Sequence, residues 1–227
     1  MLLGATFLFH FALNYMVDNI DDYEAVALPP KKEAIAPSFN PIIKVDASSR
    51  DIWALVDFAS GKTHRVSDAD FEAGRLGKIN WDMGFQRTKI ITNSGETNPN
   101  GKAGVVNLGK VDFDKVAEAP ANGYKQDSRA WGKISNPSLS DWYVYRTRTH
   151  NVESQRNVYV ARVAENRFMK FRILNYYCSH QEADCATTMC SREEAGCLSI
   201  EYQIQEEGKN SFSLPPESAE TLAHNSN

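Results

Sequence analysis

Four cysteines crowd into twenty residues near the end of this chain, and no other cysteine occurs. Cys178, Cys185, Cys190 and Cys197 read C-x6-C-x4-C-x6-C. Two chemistries suit sulfurs this close. One is a pair of disulfides; the other is a zinc ion held by four thiolates, or by three with His180. Structural zinc sites use Cys pairs closer than six intervening residues, so the spacing favours disulfides in an oxidising compartment. Apolar strand-like residues precede Cys178 and follow Cys197, so these two can face each other across a hairpin neck. Of three pairings, the nested one is expected: Cys178 with Cys197, and Cys185 with Cys190 inside. A bridge around about twenty residues contributes ~3 kcal/mol. A surface loop shaped in this way serves as a contact surface more readily than as a catalytic device.

Elsewhere the chemistry-bearing residues are scattered. The histidines are His10, His64, His150, His180 and His224, and apart from His180 none stands at ligand spacing from another His, Asp or Cys. No nucleophile elbow, phosphate loop, dinucleotide fingerprint, H-E-x-x-H or C-x-x-C-H run occurs, so no enzyme is expected. Asp68, Asp70 and Glu72 alternate, but the glycine and distal glutamate of a calcium loop are missing. With Ser67 before them they read as the cap of a helical turn through Phe71. A net charge of −4 and a pI near 5.8 exclude the basic footprint of a nucleic-acid binder.

The elements that must position these groups lie in residues 42–206. Eleven Phe, nine Tyr and four Trp, many beside β-branched residues, favour strands over helices. Residues 42–45 and 52–58 read as a first strand pair. Tyr143 and Tyr145 alternate with Val144, Val158 and Val160 with Tyr159, and residues 168–177 make a long aromatic strand. In residues 198–205, Ile200, Tyr202 and Ile204 take one side while Glu201 and Gln203 take the other. Residues 110–141 are loop-rich. The most distinctive stretch is residues 79–109, where Trp81, Met83 and Phe85 alternate with Asp82 and Gly84. Ile90 and Ile91 close that apolar block. Residues 93–104 then hold three Gly, three Asn and one Pro, which is turn chemistry. Trp81, Phe85 and Ile90 are expected in the core.

The two ends differ from this domain. Residues 1–17 are apolar except Thr6, His10 and Asn14, and as a helix would span about 25 Å. A single membrane anchor is expected, ahead of a signal peptide, because no basic residue precedes the run and no small-x-small site closely follows it. Thr6, His10 and Asn14 share one helical face, which suits a partner helix. Residues 18–41 carry four prolines and read as a stiff linker. Residues 207–227 are rich in Ser, Glu and Asn and read as a flexible tail.

Trp81-Asp82-x-x-Phe85-x-Arg87 running into the Gly- and Asn-rich loop resembles the HmuY-like proteins, extracytoplasmic β proteins best known as haem binders. Residues 45–48, Trp53, residues 58–62, Gly123-Tyr124, residues 142–145, 158–162 and 169–176 are similar to that family's strands in the same order. The resemblance covers residues 42–206 and implies an all-β, antiparallel sandwich outside the cytoplasm. The cysteine insert, residues 178–197, departs from the family's short hairpin. The resemblance also implies two axial haem ligands, His or Met, one in residues 125–141 and one shortly after Trp142. This chain has neither His nor Met in residues 125–141, and Thr147 stands at the second place.

The expectation is therefore a non-catalytic, membrane-anchored extracytoplasmic accessory subunit of a larger membrane assembly. It would contact that assembly through the anchor and the cysteine insert, with no cofactor and no nucleic acid. The alternative is a haem- or tetrapyrrole-binding protein with non-standard ligands, for which His150, His180 and Met189 are the candidates.

Overall fold

A computed structural model describes residues 39–76, 78–130, 132–163, 167–177, 185, 188–205, 209, 211 and 212. Thr6, His10, Asn14, Cys178, His180 and the expected anchor lie outside the described residues. Among those described, no helix is long and apolar enough to cross a membrane.

The elements in chain order begin with β1 (Ile42–Asp46), β2 (Ile52–Asp57), β3 (Lys62–Ser67), α1 (Asp68–Glu72), β4 (Met83–Gln86), β5 (Lys89–Thr92) and β6 (Gly104–Gly109). They continue with β7 (Ser128–Ala130), β8 (Lys133–Ser135), β9 (Tyr143–Arg146), β10 (Asn151–Ser154), β11 (Val158–Arg162), β12 (Phe168–Tyr177) and β13 (Ala195–Ile204). Five strands form one antiparallel sheet, ordered β1-β13-β12-β11-β6, and four form a second, ordered β3-β2-β4-β5. Hairpins β9–β10 and β7–β8 stand beside them. The described fold is all-β.

Alternation explains the core. Ala54 and Val56 of β2, with Met83 and Phe85 of β4, point at Tyr159, Phe171, Ile173, Leu198 and Ile200 of the five-stranded sheet. Burying a ring as fully as Phe85 contributes about 2–3 kcal/mol. The intervening residues of the second sheet are buried as well. Trp53, Leu55, Val66, Trp81 and Ile91 form a separate cluster on its outer face, covered by Phe71, Leu76, Ile79 and Ile134. Gly84 makes that layer close-packed, since a Cβ there would lie 2.9 Å from both Leu55 and Ile91. Trp81, Phe85 and Ile90 are all buried, but Trp81 sits with the outer cluster and not beside Met83 and Phe85. It precedes β4, so the strand's alternation does not reach it.

Three local differences from the sequence reading have physical causes. The loop-rich stretch contains the β7–β8 hairpin, whose Ile134 helps cap the outer cluster. Glu201, expected on a polar face, is fully buried because the 111–116 segment and Phe212 cover that face. There it pairs with Arg172 and accepts from Asn40 Nδ2 at 3.0 Å. Lys170 beside it is equally buried and donates Nζ to the carbonyls of Phe113 (2.9 Å) and Val116 (3.1 Å). Burial pushes its ammonium below the ordinary lysine range. Within the expected tail, Phe212 is buried and its N–H donates to Ala117 O at 2.7 Å. Ser67 caps α1 by accepting from Asp70 N at 3.1 Å. Asp68 and Asp70 are engaged by Gln86 and Arg75.

Candidate ligand-binding cleft

The Gly- and Asn-rich loop, the loudest feature of the sequence, is closed from within. Asp127 is buried, and its carboxylate accepts from Thr92 N (2.7 Å), Thr92 Oγ1 (2.7 Å), Thr97 Oγ1 (2.6 Å) and Asn136 Nδ2 (3.1 Å). Burial raises its pKa above the ordinary aspartate value, against the pull of those donors. Gly95 has φ +58°, and a Cβ there would lie 2.2 Å from Asp127 O. A Cβ on Gly101 would lie 1.9 Å from Asn93 O. These contacts fold the loop on itself and bring backbone against backbone at Gly95 and Gly101.

A cleft of about 570 Å³ opens instead beside the cysteine insert. That size falls in the range of small-molecule and cofactor sites. Its walls come from four separate stretches of chain: Arg50; Arg87 and Thr88; the β9–β10 hairpin; and the ends of β12 and β13 with residues 189–192. His150 and Met189 both line it, with Tyr143, Tyr145, Tyr176 and Tyr177. Thr147 lies in the β9–β10 turn and is not among the lining residues. His180 and Cys178 lie outside the described residues, so of the candidate ligands the structure brings together His150 and Met189.

Each wall is fixed by identifiable bonds. His150 ends the β9–β10 turn with φ 56°, a conformation uncommon for residues other than glycine. Its Nδ1 shares a 2.8 Å hydrogen bond with Tyr145 Oη. That leaves Nε2 as the nitrogen able to meet a ligand, and a partner on the other ring nitrogen is how metal-binding imidazoles are oriented. Met189 is carried by the loop between Cys185 and Cys190, which are joined by a disulfide. Cys197 is also disulfide-bonded. Asn151, next to His150 and buried, grips that loop three ways. Its Nδ2 donates to Cys185 O (2.9 Å) and Thr188 O (2.8 Å), and its Oδ1 accepts from Cys190 N (2.8 Å). One buried amide therefore ties the imidazole's strand to the thioether's loop.

Arg87 closes the far side. It also has positive φ, 55°, and its backbone N–H donates to Ala47 O at 2.7 Å. Its guanidinium donates to Ala195 O (2.8 Å) and Ser48 O (3.2 Å) and lies 5.9 Å from the centre of the Tyr176 ring. Burial pushes the Tyr176 phenol up, while Arg87 opposes the shift. Trp142 backs Tyr176 and donates Nε1 to Thr88 O at 3.0 Å. Sequence reasoning missed Arg50, Arg87, Asn151 and Arg192. Only Arg87 stood in a quoted motif.

Comparison with known proteins bears on the family and the fold. The model of the HmuY protein family matches residues 49–190. Among solved structures, the apo form of an HmuY analogue from Tannerella forsythia aligns with a TM-score of 0.56 at 18% identity, over 77% of this chain and 100% of that one. Apo PinO from Porphyromonas gingivitis aligns with 0.55 at 14% identity, over 76% and 100%. A Bacteroides vulgatus protein designated HmuY-like and haem-binding aligns with 0.52 at 18% identity, over 72% and 90%. Among curated proteins no relative matches the sequence.

Proposed function

The chain belongs to the HmuY family, and from that premise we propose that it is a binding protein for a haem-type tetrapyrrole, held in the cleft beside the cysteine insert. The observation that carries this reading is that His150 and Met189, far apart in sequence, line one cleft. The residues there fit such a group. Imidazole and thioether are the usual protein ligands of haem iron. Tyr143 and Tyr145, less buried than Tyr176 and Tyr177, add aromatic surface for a flat macrocycle. The volume of about 570 Å³ is adequate. A bound haem would supply iron for axial coordination. The chain's own residues would orient the macrocycle, through Tyr145 on His150 and through Asn151 on the loop that bears Met189. Binding is the activity named for a relative on this scaffold, and binding is the activity proposed here.

A second reading keeps its own support. The apolar residues 1–17, the proline-rich linker and the absence of His and Met from residues 125–141 favour a membrane-anchored accessory subunit of a larger assembly, outside the cytoplasm. In that reading the insert, with Cys178–Cys197 as its outer bridge, is a contact surface. The two readings separate on titration with haem. A one-to-one complex with a sharp Soret band supports the cleft as a ligand site. Only a weak, broad shift, with the protein co-migrating with membrane partners in mild detergent, supports the accessory role.

A further inference from the structure

Three guanidinium groups, those of Arg50, Arg87 and Arg192, line the cleft together with His150, and among the described residues no Asp or Glu does. The chain as a whole carries more acidic than basic residues, 29 against 25, so this clustering runs against the average. Among the described residues none of the three arginines forms an ion pair. Arg87 is half-buried, and the carbonyls of Ser48 and Ala195 satisfy N–H groups without neutralising its charge. Arg192 donates Nε to Met189 Sδ at 3.3 Å, leaving its two terminal nitrogens for other acceptors. Arg50 makes no side-chain hydrogen bond. Arg50 and Arg192 are exposed and Arg87 half-buried, so all three guanidinium groups can be reached by an entering anion, which would gain charge-assisted hydrogen bonds from them.

Building on the tetrapyrrole reading, we propose that Arg50, Arg87 and Arg192 hold the carboxylates of the ligand, so that the cleft selects a dicarboxylate macrocycle and does not require its metal. The guanidinium fork matches a carboxylate through two parallel N–H bonds, which a lysine cannot reproduce. Arg87 comes from the β4–β5 turn, Arg50 from the β1–β2 connection and Arg192 from the insert. A ligand with two acidic arms can thus bridge the body of the domain and the added loop. Tyr143 and Tyr145 line the same cleft and supply aromatic surface. Because the charges and the axial pair occupy the same cleft, a porphyrin lacking iron retains the first set of contacts when it loses the second.

The test uses the full chain in mild detergent, with iron-free protoporphyrin IX and its dimethyl ester as probes, followed by quenching of Trp and Tyr fluorescence. Arg50→Gln and Arg50→Lys are the variants, since Arg50 holds no structural bond; Arg87 is avoided because it ties two carbonyls. The expected result is about tenfold weaker binding of the free acid by Arg50→Gln, partly recovered in Arg50→Lys, with ester binding unchanged by either. Affinity for the acid should also fall as salt is raised, and affinity for the ester should not. If Arg50→Gln alters acid and ester alike while the wild-type protein still binds haem, the carboxylate assignment is overturned and the tetrapyrrole reading stands. If neither haem nor porphyrin binds, both are overturned together.

Discussion

The loop around Asp127 and the cleft beside the cysteine insert are both built from polar residues and turns, yet they end in opposite states. In the first, one carboxylate collects four donors, and glycines bring backbone against backbone. In the second, Asn151 and a disulfide fix one wall to another, and among the described residues no ion pair engages the three arginines. Satisfied polar groups make a staple, whereas unneutralised ones around an open space make a site.

Substitutions should separate the two. The largest effect is expected from Asp127→Ala, which removes the acceptor shared by a backbone N–H, two hydroxyls and an amide. It should lower stability by about 3–5 kcal/mol in urea unfolding. Below the transition its haem affinity should match the wild type, and a loss of binding without a loss of stability would break the contrast. Asn151→Ala removes three bonds to the insert and should cost about 1–3 kcal/mol. Its larger consequence should be weaker haem binding, so a stability loss with unchanged affinity would deny it the positioning role. Replacing Cys185 and Cys190 with serine removes a bridge around a short loop, worth about 2 kcal/mol. It should also slacken Met189, seen as faster haem dissociation in stopped-flow. His150→Gly should change stability least, about 1 kcal/mol or less, because glycine accepts the left-handed backbone that histidine strains to adopt. Mass spectrometry without reductant should show four hydrogens fewer than the fully reduced chain.

The contrast also marks what the sequence could disclose. Strands were legible wherever one face is apolar and the next residue polar, as with Ile200, Tyr202 and Ile204 in β13. The Ser67 cap was legible because its chemistry is local. Glu201 was not, since its burial depends on a segment some ninety residues earlier folding over it. Nor was the outer layer of the second sheet, which needs Ile134 from a distant hairpin. His150 and Met189 stood out only as residue types. Their meeting in one cleft depends on Asn151 reaching the insert, a contact between residues 151 and 190 that no periodicity encodes. The loudest motif marked structure, and the quieter insert marked the cleft.

The most direct measurement is an absorbance titration of haem into the wild-type chain, His150→Ala and Met189→Ala, each shown by circular dichroism to be folded. The account predicts a saturable one-to-one complex with a sharp Soret band in the wild type, shifted or lost in both variants. A wild-type titration with no saturable band, or a band that survives unchanged in both variants, would contradict it.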